Sequence, residues 1–104
     1  MKKLREDRNK EIILEFLNTK FDNCKLRTEV SRHNETYTMY YLDNTLVMES
    51  WMRGKEYRGN FEKRFLQEFT SWFPNIKYKR RVLRDWFFTN YNPILPEGCI
   101  VYVP

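Results

Sequence analysis

The sequence predicts an α+β fold in one domain, residues 1–104: an N-terminal helix, a three-stranded antiparallel meander, two further helices and a terminal strand. Three observations predict it. Apolar residues recur at helical spacing near the start and again from about residue 60, and between those stretches the period falls to two. Alanine is absent, while aromatic residues make up 17% of the chain. A core of Phe, Tyr, Trp, Leu and Ile suits a sheet covered on one face by helices better than a tight helical bundle. A chain of 104 residues, 41% of them hydrophobic, has the size and apolar content for one core.

The first helix is expected over residues 2–21. Ile13, Phe16, Leu17 and Phe21 fall on one side of the wheel, while Glu11, Glu15 and Lys20 lie elsewhere. Asp22 and Asn23 break it. From Cys24 the residues Cys24, Leu26, Thr28 and Val30 alternate with Lys25, Arg27, Glu29 and Ser31, the pattern of a half-buried strand. Polar turns at residues 33–35 and 43–45 separate this strand from "TYTMYYL" and "LVMESWM". The glycines of "RGKEYRGN" end the meander. A second helix then spans residues 60–73, with Asn60 as its N-cap, an apolar stripe of Phe61, Phe65, Phe69, Trp72 and Phe73, and Pro74 as its stop.

The stretch "NIKYKRRVLRDWFFTNYNP" admits two structures. As a helix over residues 79–91 it gathers Val82, Leu83, Trp86 and Phe87 on one side and turns Arg81, Arg84 and Asp85 outward, with Phe88 beside them. As a strand it would place Arg80 and Arg84 among core residues, although Tyr, Val, Trp, Phe and Thr favour strands by propensity. The helix gives the cleaner face and is preferred. "NYNPILPEG" follows as a loop, and "CIVYVP" as the terminal strand.

Net charge is +5, and its distribution is informative. Residues 1–52 carry nine Lys or Arg against nine Asp or Glu, whereas residues 53–104 carry ten against five. Lys77, Lys79, Arg80, Arg81 and Arg84 form a cluster without an acid until Asp85. A local surplus of this kind is the electrostatic footprint of a nucleic-acid-binding surface. A solvated face is the plainer reading of the same charges.

Other chemistries find little support. Gly54, Gly59 and Gly98 match no phosphate-binding loop. His33 is the only histidine and lies in a turn. Asp43 and Glu49 resemble a nuclease carboxylate pair in spacing, but Trp51 stands where its lysine belongs. Two distant cysteines, Cys24 and Cys99, with one histidine make no zinc site, so no metal or cofactor is expected. No run approaches the ~20 apolar residues of a membrane span. The chain reads as a cytoplasmic, non-enzymatic protein with both thiols reduced.

The segment "FEKRFLQEFTSWFPNIKYKRRVLRDWFFTNY", residues 61–91, resembles the C-terminal winged-helix region of phage and plasmid primase-helicases. The shared features are an aromatic-rich helix, an "FP" break, a basic approach and a helix with "W" followed by an aromatic and "Y". The resemblance implies a helix-turn-helix pair of winged-helix type with the second helix on DNA. It carries no ATPase motif and does not cover residues 24–52. A second resemblance is topological. Helix, three strands and helix is the order of a double-stranded RNA-binding domain, with "GKEYRGNFEKR" at the place of its lysine-rich turn.

The expected function is therefore nucleic-acid binding through Lys77, Lys79, Arg80, Arg81 and Arg84, with Phe88 available for stacking on a base. Duplex DNA is the favoured ligand and RNA the second. The alternative is a protein-interaction or assembly module that docks on an acidic partner, with Phe88 and Trp51 at the interface. The alanine-poor, Lys- and Asn-rich composition points to an AT-rich source such as a phage or mobile element.

Overall fold

The computed structural model describes residues 5–91 and 95–104, so residues 2–4 of the expected first helix and residues 92–94 of the expected loop lie outside it. The architecture is α+β, with three helices and one five-stranded sheet. The elements are α1 (Arg5–Lys20), β1 (Leu26–Val30), β2 (Thr38–Leu42), β3 (Thr45–Arg53), β4 (Glu56–Phe61), α2 (Lys63–Trp72), α3 (Lys79–Tyr91) and β5 (Ile100–Tyr102). Spatial order follows chain order, β1-β2-β3-β4-β5. The first four strands form antiparallel hairpins, and β5 joins β4 in parallel.

The meander has four strands rather than the expected three because "EYRGNF" is β4, and β5 makes the fifth of the sheet. Gly54 does not end the meander. It takes a left-handed φ of 61° in a two-residue turn, Gly54-Lys55, that pairs Arg53 with Glu56. Gly59 is inside the strand for a packing reason: a Cβ there would lie 3.2 Å from both the Glu49 carbonyl oxygen and a Val103 methyl. Phe61 and Asn60 consequently belong to β4, and the cap of α2 is Glu62, whose carboxylate accepts the Phe65 N–H at 2.9 Å. Burial raises the pKa of Glu62, but the N–H groups of Arg64, Phe65 and Lys63 and the Arg64 charge outweigh it and hold the carboxyl below its ordinary range.

A β-bulge fits β3 to its neighbours. The register passes from Tyr40 opposite Met48 to Tyr41 opposite Leu46, which leaves Val47 as the extra residue. Consecutive Val47 and Met48 are thereby both buried, and the Val47 carbonyl receives the Glu62 N–H at 2.9 Å. Strand β1 is the exception to its alternating pattern. Only Leu26 and the preceding Cys24 are half-buried, because β1 is an edge and the core does not reach Thr28 or Val30.

The core is aromatic and lies between the sheet and the helices. Phe87 of α3 meets Tyr40 and Phe61 edge-on at 5.9 and 6.0 Å, and Phe65 of α2 meets Phe21 at 5.9 Å. Such pairs add about 0.5–1.5 kcal/mol each beyond area burial. The hydroxyls of Tyr40, Tyr57 and Ser50 form a buried chain, with Tyr40 3.1 Å from each of the other two. Ser50, 2% exposed, is thus satisfied, as a buried polar group must be. Among the described residues no helix is long and apolar enough to cross a membrane.

Helix α3 has the expected bounds, with Leu83, Trp86 and Phe87 buried. Burial of one face decided the element against its strand propensities. The expected terminal strand is β5, three residues long and joined in parallel to β4 of the main sheet.

Candidate nucleic-acid interface

Local chemistry sets the entry to α3. Phe73 leaves the helical region at φ −129°, and Pro74 cannot extend α2. The Phe73 carbonyl, an orphan of the helix end, accepts the Lys79 ammonium at 2.8 Å and the Ile76 N–H at 3.3 Å. Tyr78 then takes a left-handed φ of 62°, uncommon for a bulky side chain. Its carbonyl starts α3 by accepting the N–H groups of Arg81 and Val82 at 3.1 and 3.2 Å. The Trp86 indole N–H donates to Asn18 at 2.8 Å and ties α3 to α1.

This packing leaves an open groove of about 820 Å³ between the first turns of α1 and the start of α3. Arg5 and Lys10 line one side, Lys77 and Arg81 the other, and among the described lining residues Asp7 is the one carboxylate. Ile13, Ile76 and Val82 supply its apolar lining. A shallower depression of about 410 Å³ lies beside it, and Tyr78 lines both. Tyr78 is 61% exposed, with the Arg81 guanidinium 5.2 Å from its ring centre. The positive end of the α3 dipole adds to the field of these cations.

The expected cluster divides in two. Lys77, Arg80 and Arg81 are exposed, and among the described residues none of them is in salt-bridge range of a carboxylate. Lys79 and Arg84 are half-buried and hold the fold. Lys79 closes the end of α2, and Arg84 donates to the Val103 carbonyl at 3.3 Å while pairing with Asp85 at 3.4 Å. Phe88 is also not the outward ring expected of it. It is half-buried, packed against the core and 5.9 Å from the Phe87 ring. Tyr91 likewise packs edge-on against Trp86 and at a tilt against Phe87, and burial raises its phenol pKa. The sequence reading missed Tyr78, whose exposure follows from a backbone angle, and Arg5 and Lys10, which only the α1–α3 packing brings near.

The open face of the sheet uses the same residue types differently. Arg27 pairs with Glu29 and lies 4.2 Å from the Tyr41 ring centre. Arg58 pairs with Glu56 at 2.9 Å and lies 5.4 Å from the Tyr102 ring centre. Tyr37 stacks on Trp51 with ring centres 6.1 Å apart. Its phenol is pushed up to about 12 by desolvation, then by the hydrogen bond to Glu49 and that carboxylate's charge.

The remaining candidate groups have structural partners. Asp43 accepts the Lys25 N–H at 3.2 Å, and its pKa is lowered first by the Cys24 thiol and then by that N–H. Cys24 and Cys99 are free thiols, and the pKa of Cys24 is raised by burial and by Asp43, opposite to the shift that activates a cysteine. His33 is exposed in the β1–β2 loop. Among the described residues no group of His, Cys, Asp and Glu has metal-binding geometry. No family model matches the chain, and comparisons with curated proteins and with solved structures give no match.

Proposed function

We propose that this is a small non-enzymatic nucleic-acid-binding protein that grips phosphates at the α1–α3 groove. The observation that carries the reading is the set of exposed cations Lys77, Arg80 and Arg81, without carboxylate partners among the described residues, across from Arg5 and Lys10. Unpaired cations release counterions from a phosphate backbone on contact, which is the main source of such affinity. The consecutive helices α2 and α3, with cations at the start of the second, agree with the winged-helix resemblance of residues 61–91. The composition supports a phage or mobile-element source.

The test is a fluorescence-anisotropy titration against labelled nucleic acids over a salt series. It compares the wild type with a Lys77→Ala, Arg80→Ala, Arg81→Ala variant. If these residues meet three phosphates, the salt slope falls by roughly 2 to 3 log units per log unit of salt. Weak binding that the variant leaves unchanged overturns the proposal. A protein-docking reading is favoured by one other observation, the part-exposed row of Tyr41, Tyr37, Trp51 and Tyr102 on the open sheet face. It predicts a partner interface that Trp51→Ala abolishes and the groove variant does not.

A further inference from the structure

We infer that the groove takes a single strand rather than a duplex, with Tyr78 as the platform on which a base stacks. The inference rests on the phosphate-binding reading and names the ligand class of that site.

A helix that reads a duplex lays several turns of side chains into the major groove. Helix α3 exposes cations only in its first turn. Leu83, Trp86 and Phe87 are buried, Phe88 is turned inward, and the Arg84 guanidinium is held by the Val103 carbonyl. One turn beyond Arg81 on the same side stands exposed Asp85, already paired with Arg84 and, as a carboxylate, no donor to a phosphate. The cations instead flank a concavity between two helices, and a rigid duplex would meet only its rims. A flexible backbone can run along it, between Lys77 and Arg81 on one side and Arg5 and Lys10 on the other.

Tyr78 completes the argument. Its ring is 61% exposed, with the Arg81 guanidinium against it, and it stands between the groove and the shallower depression. Stacking on an aromatic ring needs a base whose face is free, which a single strand provides and a paired duplex does not. An arginine beside the ring adds a cation within reach of the neighbouring phosphate. The site therefore combines the two elements of sequence-tolerant single-strand binding, a positive groove and a stacking ring.

The experiment titrates oligo-dT and oligo-rU of roughly a dozen nucleotides, and a hairpin duplex, against wild type, Tyr78→Gly, Tyr78→Phe and Arg5→Ala/Lys10→Ala. Glycine removes the ring and also suits the left-handed backbone, so this variant keeps the fold. The inference expects tighter binding to single strands than to the hairpin. Tyr78→Gly should weaken single-strand binding roughly 5- to 100-fold, and Tyr78→Phe should stay within about twofold. The Arg5/Lys10 variant should lower the single-strand salt slope by roughly 1 to 1.5. Equal affinity for dT and rU makes the ligand any single strand, and preference for rU identifies RNA through its 2′-hydroxyl. Tighter binding to the hairpin, with no effect of Tyr78→Gly, overturns the inference and leaves phosphate binding standing. Absence of binding to all three ligands overturns both.

Discussion

The start of α3 and the open face of the sheet are both built from arginine and tyrosine, but their arginines are wired differently. On the sheet, Arg27 and Arg58 each have a glutamate two residues away and a tyrosine ring beneath. Their charge is neutralised where it stands. At the groove, Arg81 has the ring of Tyr78 but no carboxylate, and Lys77 and Arg80 have neither an ion pair nor a ring contact among the described residues. The comparison teaches that pairing, more than the number of cations, decides which face carries uncompensated charge.

The largest expected effect comes from reversing charge on each face in turn. Arg80→Glu with Arg81→Glu turns two attractions for phosphate into repulsions, and we expect at least a 100-fold loss of nucleic-acid affinity, about 2.7 kcal/mol. Arg27→Glu with Arg58→Glu places like charges beside Glu29 and Glu56. It should leave affinity within about threefold and cost roughly 1 kcal/mol of stability, since exposed pairs are individually weak. Anisotropy and urea melts on both variants measure this. Equal affinity losses on the two faces would break the distinction.

The next effect sharpens the comparison inside the basic cluster. Arg84→Ala removes a charged donor from the Val103 carbonyl and loosens the segment that follows β5. It should cost about 1 kcal/mol in a urea melt while the salt slope for nucleic acid stays unchanged. Arg80→Ala should do the reverse, with a slope lower by roughly 1 and unchanged stability. If Arg84→Ala lowers the slope as much, its guanidinium leaves the carbonyl to meet phosphate.

This division was not legible in the sequence, and the reason is physical. Lys79 and Arg84 find their partners on backbone carbonyls of Phe73 and Val103, and residue type does not announce a backbone partner. What was legible is what periodicity and turn residues encode. The face of Leu83, Trp86 and Phe87 marked out α3, and the polar turns at residues 33–35 and 43–45 marked out β2 and β3. Strand β4 was hidden because Gly54 and Gly59 read as breakers, and Asn60 imitates an N-cap just before a helix. A two-residue Gly-Lys turn followed by the alternation Tyr57, Gly59, Phe61 was the available signal. Gly59 could be seen as a strand residue only once Val103 was known to pass close above it.

A smaller effect concerns the cap that ends the sheet and starts α2. The folded pKa of Glu62 is depressed, so its contribution is fully present above the ordinary carboxylate range and is lost as pH falls through the folded value. Glu62→Ala should cost about 1 kcal/mol at neutral pH. Glu62→Gln, which can still accept the Phe65 N–H, should lose less and should show a shallower fall of stability in acid than the wild type. Chemical melts at neutral and acid pH test this, and an identical acid slope in Glu62→Gln would remove the cap from the account. Binding at the groove should not follow Glu62, since α3 carries its own start at Tyr78.

The smallest effect probes the neutralised face alone. Tyr37 is held protonated up to about 12, by desolvation first and then by Glu49. A raised folded pKa means that its contribution is intact below the ordinary phenol value and disappears as pH climbs toward about 12. The wild type should therefore lose stability with alkali more steeply than Tyr37→Phe, which has no phenol to ionise. Ultraviolet titration should assign the difference between these two proteins to one late-ionising tyrosine. Glu49→Gln should bring that ionisation down toward the ordinary range, because it removes the negative charge that opposes phenolate. If Glu49→Gln leaves it in place, desolvation against Trp51 accounts for the whole shift. The open face would then be set by stacking rather than by paired charge, and the contrast with the groove would rest on Arg27 and Arg58 alone.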